Sequence, residues 1–255
     1  MTDNPFDLTG RVVWVTGAGK GLGRAMAVAL SRAGARVAVS SRTADDLKGL
    51  ADDLAAEGGR IDVHPLSVAD PDAVRVTAEA VTERAGRLDG LVNCAGISPD
   101  FTRSERLDDA TWSRILDVNL SGTFYCCREA GRIMLERGGG SIVNVSSVHA
   151  TAGFGRLAAY SASKGAVEAL TRTLAVEWAD RGVRVNTLAP GYFDTELSKP
   201  LMSNDSWADR VKSAIPMART GDPDELSGAV VFLMSDAARY TTGSTLTVDG
   251  GWTAW

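Results

Sequence analysis

The 255-residue chain predicts an α/β fold in a single domain: a doubly wound, seven-stranded parallel sheet with helices on both faces. Three observations predict it. Short β-branched runs alternate with amphipathic stretches along the whole chain, which calls for a parallel sheet covered by helices. A glycine-rich turn, Thr16-Gly-Ala-Gly-Lys-Gly-Leu-Gly23, closes the first strand-like run and opens the first helix-like one. No repeat, low-complexity tract or linker divides the sequence, and its length is enough for one large core.

The first strand is placed at 11–16, where Arg-Val-Val-Trp-Val is β-branched or aromatic apart from the arginine and short enough for a buried parallel strand. A helix over 22–33 follows, because Ala25, Met26, Ala29 and Leu30 recur at helical spacing and Gly34 supplies a stop. Strand 36–40 leads through Ser41 and Arg42 to an amphipathic helix at 44–57. Strand 61–66, helix 71–85 and strand 88–94 continue the alternation. Then come a long helix over 109–136, strand 141–146, helix 158–180 and strand 183–189. A helix at 223–235 and a strand at 244–248 complete the series. The least regular region is about 191–218, with Pro200, Pro216 and the polar cluster Ser203-Asn204-Asp205. A long loop in a compact domain is expected to be a substrate loop, and a ligand is expected beyond the carboxyl ends of the strands.

Composition narrows the function classes. The hydrophobic share is 44% and the charged share 23%, both ordinary for a soluble globular protein. A formal charge of −5 argues against nucleic-acid binding, which goes with a basic excess. The longest apolar run, Ala229 to Met234, is too short to span a bilayer, and the polar, acidic start Met-Thr-Asp-Asn-Pro-Phe-Asp shows no signal peptide. A cytoplasmic location is the expectation. The odd count of three cysteines, with Cys126 and Cys127 adjacent, points to a reducing compartment. His64 and His149 are the only histidines and no cluster has metal-ligand spacing, so no metal is expected.

Glycines at 17, 21 and 23 permit a tight turn, close approach of a pyrophosphate and close helix–strand packing, with exposed N–H groups at the helix start favouring an anion. The spacing is G-x-x-x-G-x-G and not the strict G-x-G-x-x-G. Alone, the turn therefore reads either as a nucleotide cradle or as a loop with no ligand. Tyr160 and Lys164 stand four residues apart, on one face of a helix, so an ammonium can lie near a phenol. Ser147 precedes the tyrosine by 13 residues at a strand's carboxyl end. A free phenol with a pKa near 10 is a poor base at neutral pH, and a nearby cation favours its phenolate. Tyr160 can then exchange a proton with a carbonyl or hydroxyl oxygen, and Ser147 can donate to that oxygen as charge develops.

These motifs, with Asn93-Cys-Ala-Gly96, Asn119 in Val-Asn-Leu, Pro190-Gly191 with Thr195, and Val248-Asp-Gly-Gly251, resemble the short-chain dehydrogenase/reductase family from residue 8 to the C-terminus. Residues 151–160, 190–196 and 215–251 most resemble gluconate 5-dehydrogenase-like and 3-oxoacyl-(acyl-carrier-protein) reductase-like members. The resemblance implies a Rossmann fold and hydride transfer with Asn119, Ser147, Tyr160 and Lys164 as catalytic residues. It implies that Asn119 holds a water continuing a proton relay from Lys164, and that Lys164 also binds the nicotinamide ribose. It implies cofactor contacts at Gly17, Gly19, Lys20, Gly21, Leu22, Ser41, Arg42, Ser67, Val68, Asn93, Ala95, Gly96, Tyr160, Lys164, Pro190, Gly191 and Thr195. Two positions depart from the family's habit: Cys94 replaces a frequent second asparagine, and Ser67 a frequent aspartate near the adenine.

The end of the second strand bears on the cofactor. Ser41 stands where NAD-preferring relatives place an aspartate, which removes repulsion against a 2′-phosphate. Arg42 and Lys20 can meet that phosphate, so NADP(H) is the expected cofactor, with NAD(H) as the alternative. Ser147, His149, Phe154 and Tyr192 are the candidate substrate residues, with Phe193, Met202 and Trp207 as further apolar walls. The partners expected are a small-molecule carbonyl or alcohol and further copies of the chain, with no nucleic acid and no membrane. The resemblance implies a homotetramer paired through helices 109–136 and 158–180 and through the C-terminal strand with its preceding helix. The leading expectation is NADP-dependent interconversion of a small ketone or sugar-acid ketone and its secondary alcohol. A second is reduction of a 3-oxoacyl thioester, which needs a basic docking patch, with Arg103, Arg106, Arg128 and Arg132 as candidates. A third is a non-catalytic dinucleotide sensor, which would have no need of Tyr160 and Lys164.

Overall fold

Seven parallel strands form one sheet in the order β3-β2-β1-β4-β5-β6-β7 in a computed structural model that describes residues 4–98, 101–196, 198–199 and 205–254. The strands are β1 Val12–Thr16, β2 Arg36–Ser40, β3 Ile61–Val63, β4 Gly90–Asn93, β5 Gly140–Val145, β6 Val183–Pro190 and β7 Thr245–Val248. Between them lie α1 Gly21–Arg32, α2 Ala44–Ala56, α3 Pro71–Ala85, α4 Asp109–Leu116, α5 Gly122–Arg137, α6 Ala158–Trp178, α7 Asp205–Ala214 and α8 Ser227–Met234. The order reverses between β1 and β4, and in open α/β sheets it is beyond the carboxyl ends at such a reversal that ligands bind.

Both faces of the sheet are covered. Val13, Val15, Val37, Val39, Val92 and Val143 point to one side and pack with Met26 and Leu30 of α1, Leu47 and Leu50 of α2, and Val230 and Leu233 of α8. Val12, Trp14, Ala38, Leu91, Ile142 and Val185 point to the other and pack with Val74 and Val81 of α3, Ala130 and Met134 of α5, and Leu174 and Trp178 of α6. Side chains alternate across a strand, so strands apolar at every position must be buried on two faces. Trp14 is wholly buried and its indole N–H donates to Ser40 Oγ at 2.9 Å, satisfying the one polar atom it carries. Helix boundaries follow the local chemistry. Asp70 accepts from the N–H groups of Asp72 and Ala73 at the start of α3, Pro71 follows, and Gly86 ends the helix at φ 76°.

Three expectations are refined. The strand placed at 61–66 stops at Val63, because Pro65 has no N–H to continue the ladder, although His64 N still donates to Val39 O at 2.9 Å. The helix placed at 109–136 is divided by a π-turn at Asp117–Ser121, which joins α4 to α5 without ending the helical path. Within the irregular region, residues 205–214 form α7, whose Ala208 and Val211 are buried together with Ile215 just beyond it. That apolar spacing was masked by the neighbouring prolines and polar residues. Pro200, Met202, Ser203 and Asn204 lie outside the described residues.

Candidate active site

The carboxyl end of β5 and the first two turns of α6 bring Ser147, Tyr160 and Lys164 together. Ser147 is in extended conformation two residues past β5, and its Oγ accepts from the backbone N–H of His149 at 3.2 Å. Burial pushes the Tyr160 phenol above its ordinary value, while the Ser147 side chain, hydrogen-bonded to it, works the other way. Lys164 is buried and its ammonium donates to the carbonyl of Val145 at 2.8 Å. Burial lowers this ammonium to about 8, an effect that the neighbouring Cys94 opposes. The expected depression of Tyr160 by Lys164 is not what the geometry yields. The ammonium stands 5.8 Å from the ring centre and burial dominates, so the phenol is held as a proton donor.

Asn119 sits in the π-turn and is wholly buried. Its side-chain amide donates to Ile97 O at 2.9 Å and to Ser163 Oγ at 3.1 Å, and its Oδ1 accepts from Ile97 N at 2.8 Å. It thus ties α4–α5 to the segment after β4 and to α6, and only its side chain's remaining lone pairs are uncommitted. Asn93 has a structural place as well: its amide donates to Asn144 Oδ1 at 2.9 Å across β4 and β5. Asn144 in turn donates to Thr171 Oγ1 at 2.9 Å on α6. Cys94 fills the departed family position beside Lys164, and burial raises its thiol to about 11. So high a value marks an unreactive thiol.

The glycines let the turn after β1 pack close against neighbouring backbone, and a groove runs beside it past Gly21 and Thr195. A Cβ at Gly17 would lie 2.7 Å from the Ala95 backbone, and one at Gly23 would lie 2.2 Å from Gly17 O. At Gly19 it would meet Ser41 Oγ at 3.0 Å, at Gly21 Thr195 at 3.4 Å, and at Gly96 both Asn119 Oδ1 at 3.4 Å and Lys164 Nζ at 3.5 Å. Gly17 and Gly21 also adopt φ of 68° and 53°, which side chains other than glycine rarely take. Lys20 caps α1 with no side-chain hydrogen bond, so the first N–H groups of that helix face the groove without an internal partner from the cap. A groove beside such a turn, with helix N–H groups at its edge, fits an extended phosphate-bearing dinucleotide. Leu22 is partly buried over the core, and Gly191 closes the far side, where a Cβ would lie 2.7 Å from the Asp249 backbone just beyond the Pro190–Val248 pairing.

At the β2 end, Arg42 is exposed and has no ion pair or hydrogen bond to another described residue, whereas Lys20 pairs with Asp46 at 3.4 Å. Ser41 Oγ donates to Thr43 O at 3.1 Å. Ser67 accepts a backbone hydrogen bond from Asp70 N at 3.1 Å, and the Val68 side chain packs against the close-approaching Gly122.

Aromatic rings form the mouth. His149 lies 5.0 Å from Phe154, 5.6 Å from Tyr192 and 5.4 Å from Trp252 between ring centres, and Phe154 meets Trp207 at 5.7 Å. The expected substrate residues are therefore neighbours. Phe193 instead turns inward and is buried in the core. Trp252 was not expected. It reaches the mouth because Gly250 and Gly251, with φ of 64° and 90°, fold the chain back after β7. Its place just beyond a carboxyl strand end was the signal available. Of the four candidate docking arginines, Arg128 pairs with Glu129 at 2.8 Å, Arg132 with Glu136 at 3.4 Å and Arg103 with Glu105 at 4.0 Å. No group of three or more His, Cys, Asp or Glu that could hold a metal occurs among the described residues, and among them no helix is long and apolar enough to cross a membrane.

The family model described as enoyl-(acyl carrier protein) reductase matches residues 17–253. The chain is 42% identical over 251 residues to D-threitol dehydrogenase of Mycolicibacterium smegmatis, covering 98% of this chain and 96% of that one. It is 43% identical over 254 residues to galactitol 2-dehydrogenase (L-tagatose-forming) of Cereibacter sphaeroides, covering 98% of each. The crystal structure of a gluconate 5-dehydrogenase from Burkholderia cenocepacia in complex with NADP and tartrate superposes with a TM-score of 0.95 at 37% identity, over 98% of both chains.

Proposed function

The chain belongs to the short-chain dehydrogenase/reductase family, and from that premise we propose that it is an NADP(H)-dependent oxidoreductase interconverting a ketone and a secondary alcohol on a small polyol or sugar acid. The observation that carries this reading is the convergence of Ser147, Tyr160 and Lys164 next to the glycine turn, with Gly17 against Ala95 and Gly96 against Lys164. The groove residues from Gly17 to Leu22, with Ala95, Gly96, Pro190, Gly191 and Thr195, would hold the dinucleotide. Arg42 and Lys20 would meet its 2′-phosphate, with Ser41 beside them in place of a repelling carboxylate.

When bound, the nicotinamide supplies or accepts the hydride. Tyr160 gives its phenolic proton to the substrate oxygen in reduction and takes the hydroxyl proton in oxidation. Ser147 donates to the same oxygen as negative charge grows on it. Lys164 would bind the ribose and pass a proton onward to a water held by Asn119, whose side chain is fixed to Ile97. A wall of rings around His149 and Tyr192 keeps water from the reacting carbon.

The thioester-reductase alternative gains no support from its docking patch, since three of its four arginines are spent on neighbouring carboxylates. The whole chain acts as one domain, with residues 191–218 as its substrate loop. We place it in the cytoplasm, where Cys126 and Cys127 stay reduced. Assembly as a homotetramer through α5 and α6 is supported by an open groove of about 410 Å³ lined by Phe124, Arg128, Leu174 and Trp178, and by Val176, which is 83% exposed. Light scattering in solution tests the assembly.

The activity is tested by mixing the protein with NADP+ and, separately, threitol, galactitol and gluconate, and with NADPH and acetoacetyl thioester. NADP-linked oxidation of at least one of the first three is expected. Turnover of the thioester alone would move the reading to the alternative, and no turnover with any partner would end it.

A further inference from the structure

Two buried polar atoms at the mouth have no hydrogen-bond partner among the described residues: Nδ1 of His149 and the phenolic oxygen of Tyr192. His149 is only 8% exposed, so its vacant nitrogen cannot be satisfied by bulk water. Leaving such a group unpaired is unfavourable, and folded proteins rarely do it without a reason. Both residues adjoin the Ser147–Tyr160 pair. The backbone N–H of His149 donates to Ser147 Oγ at 3.2 Å, and Tyr192 is near enough to Tyr160 for the two phenols to influence each other's ionisation.

The charge state of the pair narrows its ligand. Burial lowers the His149 imidazole, with a backbone hydrogen bond at Ala152 opposing, so it is neutral at pH 7. Burial, and Tyr160 after it, push the Tyr192 phenol up to about 12. Two neutral groups that can donate or accept suit a hydroxyl, whereas a carboxylate needs a cation to offset its desolvation. Aromatic rings complete the enclosure. Trp252 meets His149 at 5.4 Å and Tyr192 at 5.8 Å, and Phe154 meets His149 at 5.0 Å, leaving apolar faces for the C–H side of a carbon chain.

We propose that His149 Nδ1 and Tyr192 Oη together bind a hydroxyl on the carbon next to the reacting carbon, with Trp252 as the wall against the chain, so that the enzyme selects vicinal diols and polyols over simple secondary alcohols. This rests on the reading above that Ser147 and Tyr160 hold the reacting oxygen. The two pairs adjoin, which suits a second hydroxyl carried close to the reacting carbon.

Matched substrates that differ by one hydroxyl test it: butane-2,3-diol against butan-2-ol, and trans-cyclohexane-1,2-diol against cyclohexanol, each oxidised with NADP+ by the intact enzyme and by Tyr192→Phe, His149→Phe and His149→Gln. The intact enzyme is expected to favour the diols in kcat/KM by about 10- to 100-fold. Tyr192→Phe and His149→Phe should bring that ratio towards one, and His149→Gln, which keeps a polar atom, should retain part of it. A ratio near one in the intact enzyme overturns the proposal. So does a ratio unchanged in both Phe variants, which would mark the two side chains as packing only. If the intact enzyme oxidises threitol, galactitol or gluconate with NADP+ but neither diol, this proposal is overturned while the reading of the site stands; if it oxidises none of these, the reading of the site falls first.

Discussion

Lys164 Nζ stands 5.8 Å from the centre of the Tyr160 ring one turn earlier on α6. The lysine reaches past the ring to the Val145 carbonyl, and Tyr160 is left in hydrogen-bonding contact with Ser147. In the proposed mechanism proton transfer rests on the phenol, whose pKa burial raises. In reduction the phenol must be protonated, so the rate should hold through neutral pH and fall only in the alkaline range. In oxidation it must be ionised, so the rate should climb with pH over the same range. Tyr160→Phe is expected to lower kcat by about 10²- to 10⁴-fold and to abolish both limbs. Cofactor affinity, read by fluorescence titration, should change little. Turnover retained in the variant with the pH limbs intact would remove Tyr160 from the proton path.

The buried ammonium of Lys164 makes a second, thermodynamic mark. Its native pKa of about 8 lies below the ordinary 10.5, so between those values the unfolded chain binds more protons and stability rises with pH. Below about pH 8 both states are charged and the full burial penalty is present, on the order of 3 kcal/mol for a shift of this size. Lys164→Met should accordingly be inactive yet more stable at pH 7, by about 1–3 kcal/mol after loss of the Val145 hydrogen bond is counted. Urea unfolding at pH 7 and pH 10 checks this. The gap between variant and parent should shrink at the higher pH, and a gap that widens would reverse the assignment.

Arg42 and Lys20 are not equal candidates for the 2′-phosphate. Arg42 has no carboxylate partner among the described residues, while Lys20 is paired with Asp46 and its side chain is 63% exposed. Arg42→Ala is expected to raise KM for NADPH about tenfold and to leave KM for NADH nearly unchanged. Lys20→Ala should do the same to a smaller extent, because Asp46 already shares its charge. Steady-state kinetics with both cofactors decides, and equal changes in the two KM values would place the 2′-phosphate elsewhere.

The seven strands were legible because each is a short run bounded by turn residues, and the inner strands, buried on both faces, are apolar without alternation, whereas β7 alternates and keeps one exposed face. Ser147, Tyr160 and Lys164 were legible through their spacing, which one strand end and one helix convert directly into proximity. What stayed hidden depends on distant packing. The π-turn around Asn119 is visible only when its amide is seen bound to Ile97, 22 residues away. The direction of the Tyr160 shift is set by burial, with the Ser147 hydrogen bond opposing it, and spacing reports neither. Trp252 joins His149 only through the paired glycines after β7. The helix at 205–214 was obscured because prolines on either side outweighed three apolar positions.

The glycine turn offers a prediction that separates folding from binding. At Gly17 an added Cβ meets the Ala95 backbone at 2.7 Å and the residue has φ 68°, so neither space nor conformation is available. Strained φ alone costs on the order of 1–3 kcal/mol, and backbone atoms cannot move aside as a side-chain tip can. Gly17→Ala should therefore lower the melting temperature by several degrees even without cofactor, about 2–4 °C for each kcal/mol in a chain of this size. At Gly21 the nearest atoms are the Thr195 side chain at 3.4 Å, an ordinary contact, and only the φ of 53° opposes a methyl group. Gly21→Ala should cost less stability yet still weaken NADPH binding, since its Cβ points at the residue expected to hold the nicotinamide end. Melting curves with and without NADPH distinguish the two. Gly17→Ala shifts the curve of the protein alone, while Gly21→Ala mainly shrinks the upward shift that NADPH produces. A Gly21→Ala variant with undiminished NADPH stabilisation would show that the turn at this position is not part of the cofactor groove.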